Sequence, residues 1–147
     1  MEDIIKVEFK DEESFTIFYI TDEVFETEEE FKLFFKYLDN ILKNRYNYEL
    51  NVFYDVIIYF SDNLYILDFI YIDDFGNKDF NVTMYLNTTI LYEFYDSDLI
   101  SCKKIYYNNK YYTEIANMIN DIRLFEYGNI IYGKEAEKII NRGLLIT

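Results

Sequence analysis

Thr27-Glu28-Glu29-Glu30-Phe31-Lys32-Leu33-Phe34-Phe35-Lys36-Tyr37-Leu38-Asp39-Asn40-Ile41-Leu42 is the stretch whose reading decides the fold. Thr27 with Glu30 three residues on is a capping box: the Thr27 hydroxyl accepts from the Glu30 amide while the Glu30 carboxylate reaches back. Phe31, Phe34, Phe35, Leu38, Ile41 and Leu42 recur at helical spacing, which predicts one apolar stripe on a helix running to about Asn44. Glu28 and Glu29 fall in the first turn and Lys43 and Arg45 in the last, as the helix dipole favours. The stripe is core packing rather than a cofactor box.

On either side of this helix the period changes from 3.6 to 2. Upstream, residues 4–10 place Ile5, Val7 and Phe9 on one face, and residues 15–20 place Phe15, Ile17 and Tyr19 on one face. Asp11-Glu12-Glu13-Ser14 between them reads as the turn of a hairpin. Downstream, Val52, Tyr54, Val56, Ile58 and Phe60 alternate, as do Tyr65, Leu67, Phe69 and Tyr71. Asp62-Asn63 between these runs suits a two-residue turn with positive φ. Pairing through it sets Ile58 opposite Leu67 and Val56 opposite Phe69, with Asp55 and Asp68 on the other face. Asp73-Asp74-Phe75-Gly76-Asn77-Lys78-Asp79 is a polar turn, followed by strands at 80–86 and 89–95.

The last third reads differently. Lys103-Lys104-Ile105-Tyr106-Tyr107 and Lys110-Tyr111-Tyr112 flank Asn108-Asn109, a hairpin pattern. Ile115, Met118, Ile119 and Ile122 predict a helix from about 114 to 125. A short helix over 134–142 follows, and Gly143 with Leu144 after it suggests a Schellman-type stop. The expected fold is α+β: an antiparallel β-sheet of about six strands packed on one amphipathic helix, with a small C-terminal β-hairpin plus helices. Residues 1–98 form an acidic ββ-α-ββββ domain, and residues 99–147 a hairpin and helix subdomain packed on it.

Composition narrows the function. The chain has 147 residues, no His, one Cys, and 28 acidic against 14 basic residues, for a net charge of -14. Without His there is no imidazole base and no Ser-His-Asp triad. One Cys closes neither an internal disulfide nor a structural zinc site. The acid excess argues against direct binding to nucleic acid or anionic lipid, because phosphate contacts need Lys and Arg. No apolar run approaches the ~20 residues that span a bilayer. Met1-Glu2-Asp3 is acidic where a secretory signal is basic, so a cytoplasmic protein is expected. Tyr and Phe make 21% of the chain, whereas Ala, Arg, Gly and Pro are scarce. An AT-rich gene accounts for that bias without a binding surface. It does not account for the acid excess, because such genes supply Lys as readily.

The charge is uneven: -10 over residues 1–30, +2 over 31–50, -8 over 51–100 and +2 over 101–147. Paired carboxylates at Asp73/Asp74/Asp79 and Asp96/Asp98 sit where turns use Asp to bond local amides, and the first loop lacks the ligand alternation of an EF-hand. Glu135-Ala136-Glu137-Lys138 has the letters of a metal-dependent nuclease, but its neighbours read as helix. The four Gly residues form no phosphate loop. Cys102 has no His partner and reads as a structural thiol. Tyr106, Tyr107, Tyr111 and Tyr112 with Lys103, Lys104 and Lys110 could stack single-stranded bases. In so acidic a chain, an edge hairpin guarded by lysines is the better reading. The segment 132–146 reads as a C-terminal cap.

No catalytic residue, metal site or cofactor is expected. In size, charge and lack of catalytic side chains the chain resembles phage-encoded inhibitors of bacterial defence, the anti-CRISPR and anti-restriction proteins. The resemblance is compositional and rests on no motif. It implies a non-enzymatic acidic protein, in a bacterial host cell if phage-encoded, that blocks a basic nucleic-acid-binding protein or nuclease by presenting carboxylates as a phosphate backbone does. The carboxylates expected to meet that partner are Asp11, Glu12, Glu13, Asp22, Glu23, Glu28 and Glu29. The plain alternative for these acids is a solvated face that confers solubility. The alternative function is a cytosolic adaptor or regulatory domain that binds a protein through an apolar or aromatic surface.

Overall fold

The computed structural model describes residues 3–11, 13–50, 53–73, 80–86 and 88–146. Glu12, Val52 and positions 74–79, which include Asp74 and Asp79, lie outside them. The described elements run β1 (Asp3–Phe9), β2 (Phe15–Ile20), α1 (Glu28–Tyr46), β3 (Phe53–Ser61), β4 (Leu64–Asp73), β5 (Phe80–Leu86), β6 (Leu91–Phe94), β7 (Lys104–Tyr107), β8 (Lys110–Glu114), β9 (Asn129–Ile131), α2 (Gly133–Arg142) and β10 (Leu144–Ile146). The ββ-α-ββββ order expected of the first hundred residues is present.

The expected single six-stranded sheet is not. Among the described residues, ten strands divide into two five-stranded sheets, ordered β1-β2-β4-β3-β5 and β10-β7-β8-β6-β9. β6 pairs with β8 and β9, not with β5. Alternation within a strand specifies which side is apolar but not which neighbour it joins, so local pattern could not separate the sheets. The second sheet is antiparallel throughout. The first is mixed, because β5 runs parallel to β3. Its ring pairs advance in the same direction along both strands: Tyr54 with Phe80, then Tyr59 with Tyr85.

Two compact units result, residues 1–58 with 67–84, and residues 59–66 with 85–147. In the first, α1 buries Phe31, Phe34, Phe35, Leu38 and Leu42, five of the six stripe residues, and Ile41 is half-buried. Phe35 meets Phe69 edge-on at 5.4 Å and Phe80 at 4.8 Å, while Phe15 stacks on Phe69 at 4.8 Å. Such contacts add to the area each ring removes from water. Tyr54, Val56 and Ile58 of β3 and Tyr65, Leu67 and Phe69 of β4 are buried, as the alternation requires. Asp62 and Asn63 both take positive φ, which their short polar side chains tolerate.

β1 departs from its expected face. A register shift between Ile4 and Lys6 buries Ile4, leaves Ile5 half-buried and turns Phe9 half out to solvent. A bulge of this kind moves side chains across the sheet by one residue. Helix α1 also runs past the expected Asn44, closing at Asn47 with φ 53, whose amide reaches the Leu42 carbonyl. Asp39 is buried and accepts from the Leu50 amide at 2.9 Å, tying the following loop back to the helix.

In the second unit, α2 packs Ala136 and Ile139 onto Leu91 and Tyr112 of the sheet. The hairpin turns at Asn108-Asn109 with positive φ at both, as its sequence implies. It is not an edge: β7 and β8 lie inside the sheet, flanked by β10 and β6. The helix expected over 114–125 is replaced by two short 3-10 turns, Ile115–Asn117 and Ile122–Glu126. Two three-residue strands, β9 and β10, were not legible in the sequence. Gly143 is extended (φ -76, ψ 161) rather than left-handed, so no Schellman stop forms. Its missing side chain serves packing, since a Cβ there would lie 2.1 Å from Ile105 Cγ2.

Candidate functional site

The carboxylates singled out in the sequence fall at two ends of β2. Asp11 and Glu13 belong to the β1–β2 turn. Asp22, Glu23, Glu28 and Glu29 belong to the β2–α1 connection and the first turn of α1. β2 has six residues, on the order of 20 Å of extended chain, so the two groups are separate surfaces.

At the turn, Asp11 works locally. Its Oδ1 accepts from the Glu13 amide at 2.8 Å and the Ser14 amide at 2.7 Å. These two amides hold the Asp11 carboxyl below its ordinary value of 3.8. Glu13 is half-buried. Turn chemistry therefore accounts for Asp11 on its own.

The other end is different in kind. Residues 22–30 hold six acids, Asp22, Glu23, Glu26, Glu28, Glu29 and Glu30, and no base, and all six are exposed. Thr27 caps α1 by accepting from the Glu30 amide at 3.1 Å. The Glu30 carboxylate reaches back one residue beyond the cap, to the Glu26 amide at 3.3 Å. Phe25 packs on Phe31 at 5.3 Å and stacks on Phe34 at 4.7 Å, which draws the connection against the helix. Glu28 is held by Lys32 at 3.7 Å, a pair one helical turn apart.

Between this connection and α1 lies an open groove of about 670 Å³ lined by Glu23, Val24, Phe25, Glu30, Leu33, Phe34 and Tyr37. Val24, Leu33 and Tyr37 are 54%, 66% and 48% exposed. A single exposed apolar side chain is ordinary; here three line one groove. The sequence assigns no role to Val24, Glu26, Leu33 and Tyr37, and to Glu30 only that of the capping box. The signal was there: Leu33 and Tyr37 stand four residues apart and off the buried stripe, so they share a second, outward face of α1.

The remaining candidates resolve into structure. Asp96 Oδ1 accepts from the Asp98 amide at 3.0 Å, a turn. Residues 135–138 lie in α2, so the nuclease-like letters sit on a helix as expected. Cys102 is half-buried with its Sγ 3.2 Å from Thr113 Oγ1. Two of the three lysines of this pattern have partners within the chain, while Lys103 is exposed: Lys104 Nζ donates to the Ser97 and Ile100 carbonyls, and Lys110 Nζ lies 3.7 Å from Glu93. The adjoining tyrosines thus keep one exposed lysine, Lys103, beside them rather than a row of three. Among the described residues, no three His, Cys, Asp or Glu side chains gather as a metal site, and no helix is long and apolar enough to cross a membrane. Comparison with protein-family models, with curated proteins and with solved structures returned no match.

Proposed function

We propose that this chain is a non-enzymatic acidic binding protein that blocks a basic, nucleic-acid-handling protein by charge mimicry, as anti-CRISPR and anti-restriction inhibitors do. The observation that carries the reading is the run of six exposed carboxylates over residues 22–30, uninterrupted by any base. Carboxylates spaced along one connection and one helical turn offer a Lys- and Arg-lined channel the same charge that a phosphate strand offers. Steering by that field raises the association rate and weakens with salt. Asp22, Glu23, Glu28 and Glu29 are the principal contacts. Glu28 is partly neutralised by Lys32, and the Asp11 turn is a secondary surface.

The test is retention of a nucleic-acid-binding protein from host lysate on the immobilised chain. Salt and duplex DNA should release the retained protein, and reversal of Asp22, Glu23 and Glu29 to Lys should abolish retention. Retention indifferent to salt, DNA and charge reversal overturns the mimicry. A second reading, an adaptor that binds through an apolar surface, is favoured by the exposed Val24, Leu33 and Tyr37. It predicts binding that survives high salt.

A further inference from the structure

The groove beside α1 has a composition that charge mimicry alone does not require. A surface that only imitates phosphates needs carboxylates in water. Here Val24, Leu33 and Tyr37 stand exposed in the groove, over the Phe25–Phe34 stack, and Glu23 and Glu30 contribute to its lining. Apolar surface held open in this way is a cost to the free protein unless something covers it.

We propose that the groove seats one amphipathic helix of the partner, apolar toward Leu33 and Tyr37 and rich in Lys or Arg along its flanks. This rests on the acidic-binding reading above and names the element of the partner that is bound. Three features select the occupant. Among the described residues, those that line the groove belong to the β2–α1 connection and helix α1, so the groove itself presents no strand for an added strand to pair with. Recognition therefore falls to side chains, the helix-in-groove mode. Leu33 and Tyr37 are one turn apart on α1, about 6 Å along its axis, which matches the i to i+4 spacing of apolar side chains on an incoming helix. The charged residues that line the groove, Glu23 and Glu30, are both acidic, so a basic helix is attracted and an acidic one repelled. Tyr37 also offers a ring face to an arginine.

The experiment is fluorescence anisotropy with the full chain and three synthetic peptides. The first places Leu at helical spacing between Lys residues. The second is a scramble with the same composition and charge but no apolar face. The third replaces each Lys by Glu. The first should bind, the scramble on the order of tenfold more weakly, and the Glu peptide not at all. Leu33→Ser with Tyr37→Ser should weaken the first peptide by a similar factor. Both positions are exposed, and circular dichroism checks that the variant folds. Equal binding of the first peptide and the scramble overturns the groove proposal and leaves charge mimicry standing. So does an unchanged affinity in the double variant. Binding of neither basic peptide at low salt removes both readings.

Discussion

The Tyr112 hydroxyl donates to Glu93 Oε2 at 2.7 Å, and both side chains are buried within the second sheet. Tyr112 and Asn129 are the cross-strand neighbours of Glu93 on β8 and β9, and the Asn129 side-chain amide donates to the other carboxylate oxygen at 3.1 Å. With Lys110 Nζ at 3.7 Å, a buried charge is supplied with two hydrogen bonds and a counter-ion. Breaking one side of such an arrangement leaves the other side buried and unpaired. Glu93→Ala should therefore cost about 2–3 kcal/mol in urea unfolding. Tyr112→Phe should cost about 1 kcal/mol, since the carboxylate keeps its remaining partners. Equal, negligible losses would show that the network carries no stability.

Burial raises the phenol of Tyr54, with the bond to Tyr48 adding to it, and raises Tyr112, with the bond to Glu93 adding to it, both above the ordinary value of 10.0. Burial raises Tyr92 in the same direction. A raised folded-state pKa means the native state holds its proton more tightly than the unfolded chain. The stability from these phenols is therefore complete below pH 10.0 and falls as pH rises above it. Urea unfolding at about pH 8 and about pH 11 should show that fall. Tyr54→Phe with Tyr112→Phe should flatten it. The same slope in the double variant would assign the alkaline loss to other groups.

The Thr27 hydroxyl meets the Glu30 amide at 3.1 Å at the start of α1. Thr27→Ala should lower stability by about 1 kcal/mol, and Thr27→Asp should restore most of it. Because the cap also orders the acidic connection, the alanine variant should speed amide exchange over residues 22–30 as well. Exchange measured by mass spectrometry that stays at the wild-type rate would separate the cap from the groove.

Asp39 anchors the loop after α1 from the other end of the helix. Its carboxylate accepts from the buried Leu50 amide at 2.9 Å, with Lys43 at 3.8 Å. Asp39→Ala should cost about 1–3 kcal/mol, since the Leu50 amide loses its partner, and Asp39→Asn clearly less. Neither change touches the groove, so peptide binding by the folded variants should match wild type. Thermal unfolding and anisotropy on the same samples read both effects.

Gly143→Ala should destabilise by about 1–3 kcal/mol, because its Cβ would lie 2.1 Å from Ile105 Cγ2 and 2.7 Å from the Ile139 carbonyl oxygen. Ile105→Val shortens another branch of that side chain and leaves Cγ2 in place, so it should not rescue the variant; Ile105→Ala should do so in part. Chemical denaturation of the three variants decides it. A harmless Gly143→Ala would mean that β10 adjusts freely against β7.

The sequence by itself determined what depends on neighbours along the chain. The Thr27–Glu30 cap, the buried stripe of α1, the positive-φ turns at Asp62-Asn63 and Asn108-Asn109, and the buried faces of β3 and β4 all follow from spacing and local hydrogen bonding. The acid run of residues 22–30 is equally plain in the sequence. Tertiary structure alone decided which strands share a sheet, because β6 joins β8 and β9 through backbone pairing that side-chain alternation does not encode. It also decided that Ile4, rather than Ile5, is buried in β1, that Lys104 and Lys110 serve internal partners, and that the carboxylates form two surfaces. The groove belongs to this second class. Leu33 and Tyr37 were visible as off-stripe residues, but only the return of Val24 and Phe25 against α1 places an apolar floor among the acids.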